Sequence, residues 1–267
     1  MSERREAGIP PSSERGPSGP ARSAESGRMS ERREAGIPPG SAESGRVEIG
    51  TAIVSYIEPH PGQAVAFNRW YERDHFPATV KAGPGVFAGA RFVATRSCKE
   101  LRPRTGRLFG DPARGSYLAV AWVLPGKQEE WDEWVGREME TIAAQGRLFP
   151  GRDHVHTAIY RRIWQSGAVD GIFALDRGFA GAIVVADEHA APHLDLPGAD
   201  LPVAVGLRLE RTIVSQAGPP AHELVVGLCA GDPRAAFTAL SPRVDGYGVA
   251  SPFLAAIPGT DEYADDL

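Results

Sequence analysis

The order of strand-like and helix-like patterns between residues 49 and 164 constrains the fold of this chain more than any other feature. Two segments have apolar residues at intervals of three and four, one ending near His75 and one from Trp131 to Ile142, and both predict helices. Runs rich in β-branched and aromatic residues predict four strands, at 49–57, 86–95, 116–124 and 154–164. The resulting order, β-α-β-β-α-β, is the split βαβ arrangement of a ferredoxin-like domain.

A second, shorter pass of the same kind follows in the sequence. Asp232 with Pro233 behind it predicts the start of a helix over 232–240, and a last strand is expected around Tyr247. No strong pattern marks a first helix in this half, which makes the second unit degenerate. Its other predicted strands cover 179–185, 201–215 and 221–228.

The first 46 residues have a different composition from the rest of the chain. They contain no aromatic residue and are rich in Ser, Gly, Pro, Arg and Glu, which predicts a disordered tail. The segment MSERREAGIPP occurs at Met1 and again at Met29, which indicates a duplication and makes Met29 an alternative start. The predicted organisation is a tail over 1–46, a ferredoxin-like domain over 47–166 and a degenerate ferredoxin-like domain over 167–267.

Composition excludes several classes of function. The formal net charge of −5 argues against a broad nucleic-acid or anionic membrane surface. Cys98 and Cys229 form no CxxC pair, and no apolar run is long enough to span a bilayer, so a cytoplasmic protein is expected. Nucleotide-binding glycine motifs are absent. The expected partner is a small-molecule substrate, without nucleic acid or membrane.

A motif at the first helix-to-strand junction carries a family resemblance. It comprises Asn68, Trp70-Tyr71, Asp74-His75-Phe76-Pro77, Pro84-Gly85 and Arg91. A reduced copy, Glu188-His189, Pro197-Gly198 and Arg208, occurs in the second half. This combination resembles the dimeric α/β-barrel superfamily, especially its EthD-like and small polyketide cyclase or isomerase branches. The resemblance implies an α+β fold in which two ferredoxin-like units form one barrel. The two passes in this sequence predict the tandem form, closed within one chain, and a homodimer is the alternative.

The same resemblance implies a pocket between a sheet and its helices, although it assigns no common catalytic residue. His75 is the first candidate acid/base, because it lies one turn after Tyr71 and beside Asp74, which could orient the imidazole. Tyr71 and Asn68 would donate hydrogen bonds to the substrate, and Arg91 would bind an oxyanion or carboxylate. The alternative is that His75 and Asp74 only end the helix.

Further polar residues are candidates for binding. Trp70 would line the pocket. His154 and His156 are two residues apart on a strand, which predicts that both face the same side with Ala158, Tyr160 and Arg162. That row of side chains could line a pocket or lie on an exposed face of the sheet. No acidic residue that could complete a metal site lies nearby in the sequence, which argues against metal binding. Seven basic residues between Arg91 and Arg114 could instead form a loop over the pocket or a solvated hairpin.

The resemblance, together with these residues, implies a cofactor-independent acid/base enzyme of the cyclase, isomerase, dehydratase or oxygenase type, acting on a small aromatic or polyketide-like compound. One alternative is a haem enzyme of the tandem barrel type, with His189, His193 or His222 as the axial ligand. The other is a non-catalytic binding or assembly module, which would be favoured if Trp122, Phe173 and Phe179 filled the pocket.

Overall fold

The structure is a computed structural model that describes residues 48–104, 110–166, 178–187, 203–211 and 221–267. The predicted disordered tail and its repeats lie outside these residues, as do Phe173, His189 and His193. Among the described residues, no helix combines the length and the apolar character that crossing a bilayer requires.

The first half of the fold contains the predicted β-α-β-β-α-β order. Strand β1 is followed by helix α1, which continues into a π-helical segment, here called the π segment. Helix α2 is a single turn within the stretch that the sequence shows only as polar. The bounds are β1 Thr51–Pro59, α1 Ala64–Trp70, π segment Tyr71–Lys81, β2 Val86–Val93, α2 Arg96–Lys99, β3 Tyr117–Val123, α3 Gln128–Ala144 and β4 Arg152–Ser166.

The second half contributes four more strands and one described helix. Helix α4 begins where the sequence predicts, because the Asp232 carboxylate accepts a hydrogen bond from the Arg234 backbone N–H at 2.9 Å. The last strand follows Tyr247 rather than surrounding it. The bounds are β5 Gly181–Asp187, β6 Val203–Arg211, β7 Glu223–Cys229, α4 Pro233–Val244 and β8 Val249–Ala255.

All eight strands form one closed antiparallel barrel in the order β1-β3-β2-β8-β5-β7-β6-β4. The order repeats itself between the two halves of the chain. The first half reads β4-β1-β3-β2, and the second reads β8-β5-β7-β6, so corresponding strands occupy corresponding places. The predicted α+β barrel is therefore present, and it closes within one chain.

Side chains fill the barrel interior. Alternate residues of each strand point inward, so that Ala52, Val54 and Tyr56 of β1 share one cluster with residues from both halves. Trp122 is the largest side chain of this cluster, followed by Tyr56 and Tyr160, and each is at most 2% exposed. Burial of each such side chain stabilises the fold by roughly 1.5–3 kcal/mol.

The helices cover the outer face of the barrel in three clusters. Phe67 of α1 and Tyr71 of the π segment pack on Ile57, Val93 and Tyr117. The other two clusters centre on Trp131 of α3, which packs with Ile53, Ala121 and Ile159, and on Phe237 of α4, which packs with Ile183, Val225 and Ala250. Each helix thus buries its apolar stripe against outward-facing strand residues.

The π segment corrects the prediction that Pro77 ends the first helix. The helix passes through Pro77 and continues to Lys81. An α-helical proline has no N–H to donate and clashes with the carbonyl four residues earlier. The wider turn accommodates this residue, and the hydrogen bond from Ala82 N–H to Pro77 O, at 3.0 Å, spans five residues.

The two seams that join the halves differ in length. The seam between β4 and β6 has six residue pairs, whereas that between β2 and β8 has two, Phe92 with Ala255 and Val93 with Leu254. Residues of β2 before Phe92 therefore have no ladder partner on β8. The short seam leaves an opening at the side of the barrel, next to the π segment.

Candidate functional site

Three of the predicted site residues meet beside this opening. The Arg91 guanidinium donates from Nη2 to Asn68 Oδ1 at 2.7 Å. Its central carbon lies 5.0 Å from the centroid of the Tyr71 ring and 5.8 Å from that of Tyr117. The side chain of Arg91 is only 8% exposed. The structure therefore brings Asn68, Tyr71 and Arg91 into contact with one another.

The position of Arg91 follows from the register of β2. Arg91 pairs with Ala119, whose side chain faces outward beneath the helices, so the guanidinium enters the layer between sheet and helix. A buried cation requires compensating contacts. Besides Asn68 and the two aromatic rings, the Glu72 carboxylate lies 3.6 Å from Arg91 Nη1.

Burial shifts the pKa values of Arg91 and of its neighbour Tyr71. It lowers the pKa of the Arg91 guanidinium, while Tyr71, Tyr117 and Glu72 act in the opposite direction. It also raises the pKa of Tyr71 to about 12, although nearby Arg91 and Arg152 lower it. At neutral pH the Tyr71 phenol is therefore protonated beside a charged guanidinium.

The side chain of Arg91 lines a cleft of about 460 Å³ at the short seam between β2 and β8. Its walls are largely apolar, while Arg91, Glu72 and Lys81 supply charge. The cleft, here called the Arg91 cleft, is lined by Glu72, Phe76, Pro77, Lys81, Gly89, Ala90, Arg91, Phe92, Gly178, Phe179, Ala255, Ala256 and Pro258. This combination of apolar walls and a few convergent polar groups is typical of a small-molecule site.

The π segment determines which side chains reach this cleft. Glu72 and Phe76 lie four residues apart, as on one face of an α-helix, whereas Phe76 and Lys81 lie five apart, as expected where hydrogen bonds span five residues. Sequence reasoning missed Glu72 because it took the face of Tyr71 and His75 to line the pocket. The presence of Pro77 within the helical pattern was the signal of an irregular turn.

His75 lies in an aromatic stack rather than on the cleft. Its ring stacks on Trp70 at 4.6 Å between centroids and meets the Tyr71 ring edge-on at 5.1 Å. Thr79 Oγ1 is 3.4 Å from His75 Nδ1. Burial, with Arg152 and His154 nearby, lowers the pKa of His75 to about 4, so the imidazole is neutral at neutral pH.

Asp74 does not orient His75 in this structure. Its carboxylate is held by Arg147, through a short contact from Nη2 and a hydrogen bond of 3.1 Å from Nε. The hydrogen bond from Arg147 is the main reason that the pKa of Asp74 lies below its usual range. The proposed His75–Asp74 pairing is thus replaced by an ion pair that ties the π segment to the end of α3.

Trp70 has a similar structural setting. Its indole N–H donates to the Arg147 carbonyl at 2.7 Å, and the Arg152 guanidinium lies 4.5 Å above its ring. Its ring also stacks on Phe149, with ring centroids 5.4 Å apart. The described contacts of Trp70 lie away from the Arg91 cleft.

The prediction that His154 and His156 share one face is wrong. A register shift in the β1–β4 ladder pairs Tyr56 with His156 but Ile57 with His154, leaving Val155 as an extra residue. His156 points inward, where its Nε2 lies 2.8 Å from the Tyr160 hydroxyl. His154 lies outside, with Nδ1 2.9 Å from Thr157 Oγ1.

The basic residues after Arg91 line a different part of the surface from the Arg91 cleft. Arg96, Lys99, Arg102, Arg104 and Arg114 border a separate groove. The described part of this stretch therefore does not fold over the cleft, as one interpretation of the sequence had it.

The described residues offer little for a metal or haem. They contain no group of three or more His, Cys, Asp or Glu side chains placed to hold a metal ion. Of the candidate haem ligands, His222 is exposed, and His189 and His193 lie outside the described residues.

Comparisons with known proteins give no family assignment. No family model matches the sequence, and no curated protein matches it. Among solved structures, an anthrone oxidase-like protein is 10% identical, with a TM-score of 0.46 over 80% of this chain and 95% of that one. A chlorite dismutase-like protein is 11% identical, with a TM-score of 0.45 over 83% and 99%. The closed strand order of this chain itself shows the fold.

Proposed function

We propose that this chain is a tandem barrel of two ferredoxin-like units and a cofactor-independent acid/base enzyme acting on a small aromatic or polyketide-like compound. The repeated strand order supports the tandem arrangement, since both halves follow the fourth-first-third-second order of a ferredoxin-like sheet. The Arg91 cleft is the proposed active site. One observation carries this proposal: a guanidinium and a carboxylate face the same apolar cleft, 3.6 Å apart.

The proposed chemistry is proton removal from a carbon next to a carbonyl group. The Glu72 carboxylate would accept the proton, and the electron pair of the C–H bond would move to the carbonyl oxygen as an enolate. Arg91 would stabilise that developing charge by hydrogen bonding in a partly dry site. Return of the proton from Glu72 to another atom of the enolate, whose electron pair forms the new bond to hydrogen, would complete an isomerisation.

Glu72 replaces His75 as the proposed base because of its position. Glu72 lines the cleft and is 25% exposed at its side chain, whereas His75 is enclosed by Trp70, Tyr71 and Thr79. Glu72 Oε1 also accepts a hydrogen bond from Gly259 N–H at 2.7 Å, which fixes the carboxylate next to Arg91.

The walls of the cleft favour an aromatic substrate. Phe76, Phe92 and Phe179 contribute rings, and Pro77 and Pro258 contribute flat apolar surface. A volume of about 460 Å³ lies within the range of small-molecule pockets. A planar compound with one oxygen directed at Arg91 fits this distribution of charge and apolar surface.

Phenylpyruvate is a suitable probe, because it combines an aromatic ring, an enolisable methylene and an anionic group. We expect the protein to accelerate exchange of its methylene protons for deuterium, measured by NMR in D2O. Glu72→Gln should reduce the catalysed rate by about 100-fold or more, since general bases typically contribute that much. Arg91→Lys, which keeps the charge but loses the planar fork, should also reduce the rate.

Glu140→Gln, on the exposed side of α3, is the matched control and should leave exchange unchanged. Unchanged exchange in folded Glu72→Gln would overturn the assignment of the base. If phenylpyruvate bound in an Arg91-dependent manner but did not exchange, the cleft would belong to a binding module instead.

A further inference from the structure

A second surface site lies in the groove bordered by α2 and the loop at 110–115. The groove has a volume of about 810 Å³ and is open to solvent. Five cationic side chains line it, against three acidic ones. This basic groove is defined by Arg96, Lys99, Arg102, Arg104 and Arg114, with Glu58, Glu100 and Asp111 among them.

Two of the cations form a fixed floor. Arg102 donates from Nη1 to the carbonyl oxygens of Pro112 and Arg114, both at 2.6 Å, and from Nη2 to that of Gly115 at 3.0 Å. Lys99 Nζ donates to Ser116 Oγ at 2.7 Å. These bonds tie α2 and the loop into one cradle, so the positive charge stands at a defined place.

Two of the acidic side chains, Glu58 and Asp111, accept hydrogen bonds from groups other than the cations of the groove. Glu58 Oε2 accepts from the backbone N–H and the hydroxyl of Ser116, at 2.8 and 2.7 Å. Asp111 Oδ1 accepts from Ala113 N–H at 2.9 Å. Both carboxylates keep their negative charge in these hydrogen bonds and raise the pKa values of Lys99 and Arg102, so they offset part of the positive charge of these two cations.

The remaining cations stand at the rim. Arg96 and Arg104 are exposed, and the part of the chain that the structure describes shows no ion pair for either. Arg114 contacts Asp153 through Nη2, which leaves other donors of its guanidinium fork available. The pKa of Lys99 is lowered by burial and further by Arg102, against the opposite effect of Glu58 and Asp111.

We propose that the basic groove binds a small phosphorylated compound, separately from the chemistry at the Arg91 cleft. Arginine forks match the geometry of phosphate oxygens, and Arg96, Arg104 and Arg114 offer such forks along this groove. The three carboxylates along the walls oppose an extended polyanion. The ligand is therefore a small molecule rather than a nucleic acid.

Calorimetric titration with inorganic pyrophosphate tests this proposal at low ionic strength. We expect saturable binding by the full-length protein. Arg96→Gln and Arg104→Gln should each weaken it by about tenfold, the loss typical of one charge-assisted hydrogen bond. Both residues are exposed, so the variants should keep the circular dichroism spectrum of the parent protein. Arg137→Gln, an equally exposed arginine on α3, is the control and should bind like the parent.

Three results would overturn the proposal. The first is no saturable binding up to about 10 mM pyrophosphate, an affinity too weak for a built site. The second is equal weakening by Arg137→Gln, which would indicate net charge rather than the groove. The third is that another anion binds as tightly as pyrophosphate. Equal binding of citrate would contradict specificity for phosphate, and equal binding of a single-stranded oligonucleotide would contradict a small-molecule ligand.

Discussion

His75 makes the stability of the folded protein depend on pH. Its pKa is about 4 in the folded protein, compared with an ordinary value of 6.5, so the unfolded chain binds a proton more readily. Stability is therefore fully present above about pH 6.5 and is lost as the pH falls towards about 4. Between about pH 7.5 and pH 5 we expect this histidine to reduce the free energy of unfolding by about 2 kcal/mol.

Urea unfolding at the two pH values measures this effect, with His75→Gln as the variant that cannot titrate. The variant should lose about 2 kcal/mol less than the parent over the same interval. An equal loss in both proteins would assign the acid sensitivity to other groups.

Gly89 controls the width of the Arg91 cleft. A Cβ atom at this position would lie 2.9 Å from Phe76 Cζ, the far end of a side chain that also lines the cleft. Gly89→Ala should therefore displace the Phe76 ring and weaken phenylpyruvate binding several-fold, which equilibrium dialysis can measure. Gly136→Ala on α3 meets nothing within 4 Å and should instead stabilise the helix by up to about 1 kcal/mol without affecting binding.

Among the elements, the π segment shows most clearly where prediction from sequence succeeds and where it stops. Apolar spacing predicts a helix here, and Asn68, Tyr71 and Arg91 do meet beside it. The π hydrogen bonding depends on how Pro77 is accommodated against β2, which no local period encodes. The position of Glu72 at the cleft is likewise visible only in the folded structure. Asp74 binds Arg147, 73 residues away in the sequence, instead of orienting His75 as predicted.

The segment 256–267 forms a strap over α1 and the π segment. Asp261 accepts hydrogen bonds from Asn68 Nδ2 at 3.0 Å and from Arg69 Nε at 2.7 Å. Asp261→Ala should loosen this strap and accelerate amide hydrogen exchange in it, while the global free energy of unfolding falls by about 1 kcal/mol or less, because the ion pair with Arg69 is partly exposed. Exchange followed by mass spectrometry would detect the change.

Glu262→Ala is the neighbouring control, since the described contact of this residue is made by its backbone. Equal acceleration in both variants would show that Asp261 does not fasten the strap.

At the scale of the whole molecule, sequence patterning predicted the order of the strands and the family resemblance implied the barrel, but neither predicted its register. The four strands of the first half lie within a few residues of their expected positions, because runs rich in β-branched and aromatic residues mark them directly. The extra residue at Val155 and the unequal seams arise from pairing between distant segments. Such pairing leaves no local signal, which is why His154 and His156 were assigned to one face.

The unequal seams predict where the barrel opens first. Peptides covering β2 and β8 should exchange amide hydrogens faster than those covering β1 and β3, because two residue pairs join β2 to β8 while seven join β1 to β3. Native-state exchange followed by mass spectrometry measures this order. Equal protection of all four strands would contradict a weak seam.

The short seam also links occupancy of the cleft to the integrity of the barrel. A compound bound between Arg91 on β2 and Ala255 on β8 would contact both strands and hold them together where only two residue pairs join them. Its binding energy would then appear directly as thermal protection, about 2.7 kcal/mol at a hundredfold excess over its dissociation constant. Resistance to heat can therefore report the natural substrate before any reaction is known.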